Sequence, residues 1–229
     1  MMTQHPAVMP HGALEAIVQD AWFLTGSVQF KPLVRLGRNM VVLRHEGELT
    51  LINSVRLNLE GLAALDALGK IAHVVKIGFH GMDDAWYVEK YGAKQWALAG
   101  APGVLAEDGE FPVPGVKIFL FKDTNQPEAA LLLERDGGLL ITCDSVQHWA
   151  PQPLASPVAN LVTGLLGFKH PAQIGPPWRK KQTPAGGTLR TDFERLADLP
   201  FTRLIGGHGG LLTSRGPELL RASISRELG

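Results

Sequence analysis

Three short segments of the sequence combine histidine and carboxylate side chains, and each directly follows an apolar, β-prone run. In chain order they carry His80 with Asp83 and Asp84, Asp144 with His148, and His208. Loops at strand ends are where open α/β sheets gather ligands. Imidazole and carboxylate together suit a divalent metal ion such as zinc, manganese or iron. No single segment supplies four ligands, so we expect such a site to be assembled from all three loops.

Each segment also has an explanation that needs no ligand. Asp83 and Asp84 precede a predicted helix over 85–91, and an acidic residue there caps the free N–H groups of the first turn. Asp144 could cap a turn in the same way. The glycine pairs on both sides of His208 permit a tight turn or a close approach of the backbone. The spacing alone therefore leaves capping and metal ligation both open.

Composition narrows the class of protein. The chain has 229 residues, with 22 Lys plus Arg against 22 Asp plus Glu. A net charge of zero argues against a nucleic-acid or membrane-surface partner, which would favour a basic excess. Cys143 is the single cysteine, so neither an internal disulfide nor a multi-cysteine metal cage can form. With no signal-peptide features and no run of ~20 apolar residues, we expect a cytoplasmic protein that acts on a small molecule.

Hydrophobic periodicity predicts strands and helices mixed along the whole chain. The predicted strands are a hairpin over 39–53, then 72–77, 95–98, 116–121, 129–134, 139–143 and 203–205. The predicted helices cover 57–68, 85–91, 188–199 and 214–228. This order favours a layered α/β architecture. We interpret 1–229 as one domain, with a Pro/Gly-rich insertion or flap over 151–184 that could cover a pocket with Trp178 and Arg179.

The order of these parts resembles the metallo-β-lactamase-fold hydrolase superfamily over about residues 39–210. The run Leu139–Ser145 (LLITCDS) is similar to the family's hairpin strand that ends in a metal-bridging Asp, here Asp144. The run Asp192–His208 (DFERLADLPFTRLIGGH) is similar to the terminal helix and strand that lead to the last metal-binding His, here His208. The resemblance implies a four-layer αββα sandwich with the site at one edge of two sheets.

The family's HxHxDH metal motif is degenerate here. Phe79–Asp84 reads FHGMDD, which keeps one histidine. If Asp83 matches the motif's Asp, Asp84 replaces its last His and His80 falls between ligand positions. If His80 matches the first His, Met82 replaces the second and Asp84 is the motif's Asp. The loop that usually carries another His reads KDTNQP, with Asp123 near that place.

The resemblance therefore implies a remodelled, carboxylate-rich metal site. Its predicted ligands are His80, Asp84, Asp144 and His208, with Asp83, Asp123 or His148 as additions. Asp83 or Asp84 would serve as the general base. The predicted substrate-binding residues are His148, Trp178 and Arg179.

Three functions remain open from the sequence. The first is a metal-dependent hydrolase, in which the ion polarises the substrate and activates water. The second is a metal-free member of the fold that binds a small molecule or a protein, because most of the family's ligand histidines are missing. The third is an iron oxidoreductase. The flap or the C-terminal helix could also form a homodimer contact.

Overall fold

A computed structural model describes residues 5–150, 152 and 154–229 of the chain. Met1–Gln4, Pro151 and Pro153 lie outside the described residues, and with them the first residue of the predicted flap. The helices are α1 (Leu59–Leu68), α2 (Asp84–Tyr91), α3 (Pro157–Leu165), α4 (Pro176–Gln182), α5 (Arg190–Ala197) and α6 (Gly216–Glu227).

The strands of the first half form one sheet of seven in sequential order. They are β1 (Glu15–Val18), β2 (Ala21–Lys31), β3 (Val34–His45), β4 (Glu48–Ile52), β5 (Lys70–Lys76), β6 (Lys94–Ala97) and β7 (Gly103–Val104). Strands β1 to β4 are antiparallel neighbours, and β4 to β7 pair in parallel. The change to parallel pairing coincides with the crossover helices α1 and α2, which parallel strands require.

The second half contributes a smaller sheet with the strand order β13-β10-β9-β8. Its strands are β8 (Val116–Leu120), β9 (Ala129–Leu133), β10 (Leu139–Ile141) and β13 (Arg203–Ile205). A separate ladder pairs β11 (Val146–Gln147) with β12 (Gln173–Ile174). Strand β9 is buried along its whole length, as expected of a strand covered on both faces.

Three buried clusters define four layers. One lies between the sheets and joins residues such as Val41 and Val75 to Leu131 and Ile205. A second covers the outer face of the large sheet with α1 and α2. The third covers the outer face of the small sheet with α5 and α6. The architecture is thus the αββα sandwich that the sequence resemblance implied, and its fold class is confirmed.

The predicted elements agree with this architecture, and the structure adds several others, among them the short strands β7 and β11. The hairpin of β3 and β4, the helices α1, α2, α5 and α6, and the strands β5, β6, β8, β9, β10 and β13 all occur where the patterns predicted them. The sequence analysis did not predict β1 and β2, which extend the large sheet. Segment 151–184 contains α3, β12 and α4, and Ala172, Ile174 and Trp178 join the core below the small sheet. Much of the predicted flap is therefore packed structure.

No helix in the described ranges has the length and apolar character needed to cross a bilayer.

Candidate metal centre

The three histidine-bearing loops meet at one edge of the sandwich. Strands β10 and β13 are parallel neighbours with Ile141 opposite Ile205, so their carboxyl ends coincide. Asp144 follows β10 and His208 follows β13. The amide of Gly207 donates to the carbonyl of Cys143 at 2.7 Å, which holds the two loops side by side.

His80 reaches the same edge from the other sheet. It follows β5. The residue after that strand, Ile77, is hydrogen-bonded to the small sheet, because its carbonyl accepts from the Ala129 amide at 2.8 Å. The Asn53 side chain, at the end of β4, also donates to the carbonyl of Thr142 at 3.1 Å. The two sheets therefore converge where the loops carrying His80 and Asp144 begin.

The side chains of His80, Asp144 and His208 form one compact group. The Nε2 atoms of the two histidines lie 3.2 Å apart. Each of them lies 3.4 Å from Oδ1 of Asp144. All three side chains are half-buried, so the group is reachable from solvent. These residues are the group in the described part of the chain that could hold a metal ion.

Backbone contacts orient both imidazoles. Nδ1 of His208 lies 2.5 Å from the carbonyl of Gly37. A carbonyl only accepts, so Nδ1 carries the hydrogen and Nε2 of neutral His208 presents a lone pair to the group. The His80 ring packs against Gly207, where an added Cβ would lie 2.8 Å from its Cε1 atom. That contact fixes the plane of the ring.

The carboxylate of Asp144 supplies a negative charge to the group. Burial raises the pKa of Asp144, but the imidazoles of His80 and His208 outweigh it and hold the pKa at about 2. Burial lowers the pKa of His208, and the neighbouring His80 lowers it further. At neutral pH the carboxylate is ionised and the imidazole of His208 is neutral, which are the forms that bind a metal ion.

Asn39, on β3, holds the loop that carries His208. Its side-chain nitrogen donates to the carbonyls of Gly206 and Gly209 at 2.9 and 3.0 Å. Its side-chain oxygen accepts from the hydroxyl of Thr25 at 2.8 Å. The sequence analysis missed this positioning residue. The available signal was an amide directly before the apolar run Met40–Leu43, where a polar side chain indicates a buried polar contact.

The two predicted catalytic acids are held by other partners. Asp83 is buried and forms an ion pair with Arg38, and it also accepts from the Arg56 amide at 2.9 Å. Asp84 is buried and accepts from the hydroxyl of Ser54 at 2.5 Å. Burial raises the pKa of Asp84 to about 6, although the Ser54 hydrogen bond opposes the shift. Neither acid is in the group of His80, Asp144 and His208.

Below the group lies a third buried carboxyl, Glu128, which the sequence analysis also missed. It accepts from the Ser145 amide at 3.0 Å and from the Trp178 indole at 2.7 Å. Burial and the charge of Asp144 raise the pKa of Glu128 to about 8. Trp178 is itself buried and packs against Phe121 and Phe193. Its position links α4 to the loop that carries Asp144.

The other residues predicted for the site lie in different surroundings. The Arg179 guanidinium donates to the carbonyl of Glu227 in α6. His148 borders the site, because its carbonyl accepts from the Gly210 amide at 2.8 Å, and burial lowers its pKa. Asp123 is exposed, and its amide donates to Asp192 at 2.7 Å. A hollow of about 300 Å³ opens beside His80 and is lined by Lys76, Gly78, Phe79, Ala97, Leu98, Ala99, Gln126 and Pro127.

Comparisons with solved structures identify the fold. The metallo-β-lactamase FIM-1 from Pseudomonas aeruginosa, in its mono-zinc form, has a TM-score of 0.64 at 13% identity, covering 96% of this chain and 97% of that one. A metallo-β-lactamase from Hirschia baltica has a TM-score of 0.62 at 13% identity, covering 94% and 97%. One from Erythrobacter litoralis has a TM-score of 0.59 at 10% identity, covering 96% and 94%.

Scans against protein-family models and curated proteins gave no match. The chain therefore has the metallo-β-lactamase fold over nearly its whole length, at a low level of sequence identity. The resemblance read from LLITCDS and from the Gly-His-Gly loop is confirmed at the level of the fold.

Proposed function

We propose that the protein is a metal-dependent hydrolase whose ion is held by His80, Asp144 and His208. The observation that carries the proposal is the spacing of their three ligand atoms, at 3.2, 3.4 and 3.4 Å. Ligands about 2.0–2.1 Å from a tetrahedral zinc ion are separated from one another by about 3.3–3.4 Å. The three atoms therefore have the mutual spacing expected of three ligands to one such ion.

The donor set supports this fit. Two imidazoles and one carboxylate suit zinc, and they also accept manganese or iron. The Gly37 carbonyl binds the Nδ1 hydrogen of His208, which is the arrangement that orients a metal-binding imidazole. Nδ1 of His80 is buried and has no protein partner among the described residues. When bound, a divalent ion would polarise a substrate carbonyl or phosphoryl oxygen and activate water.

The chain's own groups complete the proposed site. Asp144 balances part of the charge of the ion, because it stays ionised above a pH of about 2. Of the two predicted general bases, Asp83 is paired with Arg38 and Asp84 with Ser54. We therefore propose that both mainly position the loop that carries His80. His148 is the predicted substrate-binding residue that borders the site, whereas Trp178 supports Asp144 from below through Glu128.

The proposal is tested by the metal content of protein purified without an affinity tag that binds metal. We expect near-stoichiometric zinc, manganese or iron in the wild type, and a loss of it in Asp144→Ala and His208→Ala. His170→Ala is the matched control, since that histidine is outside the group. Hydrolysis of esters, thioesters, lactones and phosphodiesters would then be screened with the loaded protein. Stoichiometric metal retained in both variants would contradict the proposal.

A metal-free binding protein is the second candidate. It is favoured by the ion-pair geometry, because the Asp144 carboxylate lies 3.4 Å from both Nε2 atoms, and protonated imidazoles would neutralise it there in place of a metal ion. It predicts that no metal binds even after incubation with Zn²⁺, Mn²⁺ or Fe²⁺. Added metal should then leave the melting temperature of the protein unchanged, whereas a metal that binds only the folded state raises it.

A further inference from the structure

An exposed apolar surface lies on the side of the molecule where α3 meets the turn between β2 and β3. We name it the α3 face. Phe30 and Leu33, in that turn, are 64% and 79% exposed. Leu161 and Leu165, on α3, are 65% and 80% exposed. Val158, Val162 and Leu166 extend the same surface. Monomers rarely expose a contiguous apolar patch of this kind without a partner.

The two halves of the α3 face are held together by hydrogen bonds. The Ser156 amide donates to the carbonyl of Arg35 at 2.9 Å, and the Ser156 hydroxyl donates to the carbonyl of Leu33 at 2.8 Å. The Arg35 guanidinium also donates to the carbonyl of Leu154 at 2.8 Å. The β2–β3 turn and the start of α3 therefore present their apolar side chains as one surface.

The two chain segments that form the α3 face contain Lys and Arg but no acidic residue. The sequence has no Asp or Glu from Ala21 to His45 and none from Ser145 to Thr191. Lys31 flanks Phe30, Lys169 follows α3, and both are exposed. Lys180 is exposed and lines an open hollow of about 640 Å³ together with Leu166. The acid in that hollow, Glu227, is buried and paired with Arg226 at 2.8 Å.

Two polar side chains at the α3 face are hydrogen-bonded from inside the protein. The side-chain nitrogen of Gln29 donates to the carbonyls of Lys31 and Val34 at 2.6 and 3.3 Å. The Thr163 hydroxyl donates to the carbonyls of Ala159 and Asn160 at 2.9 and 3.1 Å. Helix α3 carries no charged residue. These contacts lower the cost of moving the surface out of bulk water, because few hydrogen bonds to water would be lost.

We propose that the α3 face docks on the surface of a membrane that contains anionic lipids. Exposed Phe and Leu side chains would enter the interface between headgroups and acyl chains, while Lys31, Lys169 and Lys180 contact the lipid phosphates and carboxylates. A chain of net charge zero can do this because the two segments that form the α3 face contain basic residues and no acidic one. The proposal is independent of the metal site, although Leu33 and Gly37, whose carbonyl binds His208, share the same stretch of backbone.

A second copy of the chain fits this surface less well. A symmetric dimer places the same patch of both copies face to face. Lysines of one copy would then approach lysines of the other, with no acidic residue in either segment to neutralise them. Lipid headgroups supply that negative charge instead.

Co-sedimentation with vesicles tests the proposal. We expect the full chain to bind vesicles of phosphatidylcholine mixed with phosphatidylserine, and to bind pure phosphatidylcholine much more weakly. The affinity of the double variant Leu161→Asn/Leu165→Asn for the mixed vesicles should fall by at least about tenfold. Lys31→Gln/Lys169→Gln should weaken binding and reduce its dependence on salt. Circular dichroism would confirm that each variant is folded.

Two matched controls change equally exposed residues elsewhere. Leu59→Asn replaces a leucine that is 86% exposed on α1, and Lys70→Gln replaces an exposed lysine at the start of β5. Both should bind vesicles like the wild type. Equal binding by the Leu161→Asn/Leu165→Asn variant, or no preference for phosphatidylserine, would overturn the proposal. A wild-type chain that binds no vesicles but forms a dimer in ultracentrifugation would also overturn it, if Leu161→Asn/Leu165→Asn abolishes that dimer.

Discussion

At the scale of single residues, three carboxyl groups that are buried or half-buried have very different pKa values. Asp144 faces two imidazoles, and its pKa is held at about 2. Asp84 has a serine hydroxyl as its hydrogen-bond partner, and its pKa rises to about 6. Glu128 accepts two hydrogen bonds, but its burial and the charge of Asp144 raise its pKa to about 8. At neutral pH Asp144 and most of Asp84 are therefore ionised, whereas Glu128 keeps its proton.

The variant Asp84→Asn tests what the second acid of FHGMDD does. The pKa of Asp84 rises from 3.8 to about 6 on folding, which corresponds to about 3 kcal/mol of destabilisation when the carboxylate is ionised. A raised acid pKa makes the folded state lose stability as the pH rises between about 4 and 6. We expect Asp84→Asn to flatten that part of the curve of unfolding free energy against pH, measured by urea titration.

The same variant separates a metal role from a structural one. We expect Asp84→Asn to keep its bound metal, because the Asp84 side chain is outside the group of His80, Asp144 and His208. Exposed Asp66→Asn on α1 is the control for the pH curve. Loss of metal in Asp84→Asn, at unchanged stability, would instead make Asp84 the fourth ligand that the sequence analysis predicted.

At the scale of elements, the site depends on how closely two strands and their loops approach. The carboxyl ends of β10 and β13 are parallel neighbours, and Gly207 lies where a side chain would meet both the Cys143 carbonyl and the His80 ring. Asn39, on the large sheet, donates two hydrogen bonds to the loop that carries His208. The glycines around His208 therefore serve close packing against the other two loops as well as the turn itself.

Replacement of Gly207 should loosen the metal site. In Gly207→Ala the new Cβ would lie 2.8 Å from both Cε1 of His80 and the carbonyl of Cys143, so the His80 ring must move. Displaced supporting groups typically cost about 10–100-fold in metal affinity. We expect a loss in this range, measured by competition with a fluorescent zinc chelator. Gly210→Ala is the matched control, because its nearest neighbour is the Ala150 Cβ at 3.2 Å. Equal affinities of the two variants would contradict this explanation.

At the scale of the whole molecule, the site is supported by both sheets and by segment 151–184. Glu128 lies where the start of β9, the Asp144 loop and α4 converge, and it binds Ser145 and Trp178. The segment predicted as a flap thus carries part of the support of the site through Trp178. Helix α3 of the same segment contributes to the exposed α3 face, which we propose docks on a membrane.

Titration of Glu128 should make stability depend on pH in the metal-free protein. Its pKa is about 8 in the folded state against a usual value of 4.5, so the folded state holds a proton that the unfolded state releases. The free energy of unfolding should fall as the pH rises from 4.5 to 8, with a slope of up to about 1.4 kcal/mol per pH unit. Urea titrations with a chelator present would measure it. Glu128→Gln should flatten this slope, and exposed Glu134→Gln should not; equal slopes for both variants would contradict the assignment.

The sequence by itself determined most of the element order, and the resemblance carried by LLITCDS and the Gly-His-Gly loop supplied the fold. Apolar runs of strand length and helical spacing of leucines are local signals, because each depends on residues close in the chain. The strands β1 and β2 escaped prediction because their apolar residues alternate less clearly, and α3 and α4 because proline and glycine mask helical spacing. His80, Asp144 and His208 could be nominated from sequence since each follows a predicted strand.

Only the tertiary structure decided which of the nominated side chains meet. His80 and His208 are separated by 128 positions and yet their Nε2 atoms lie 3.2 Å apart, because two different sheets end at one edge. Asp83 and Asp84 follow His80 closely but point to Arg38 and Ser54, since the start of α2 turns them into the protein. Distances of this kind depend on pairing between strands far apart in sequence, which local patterns do not encode.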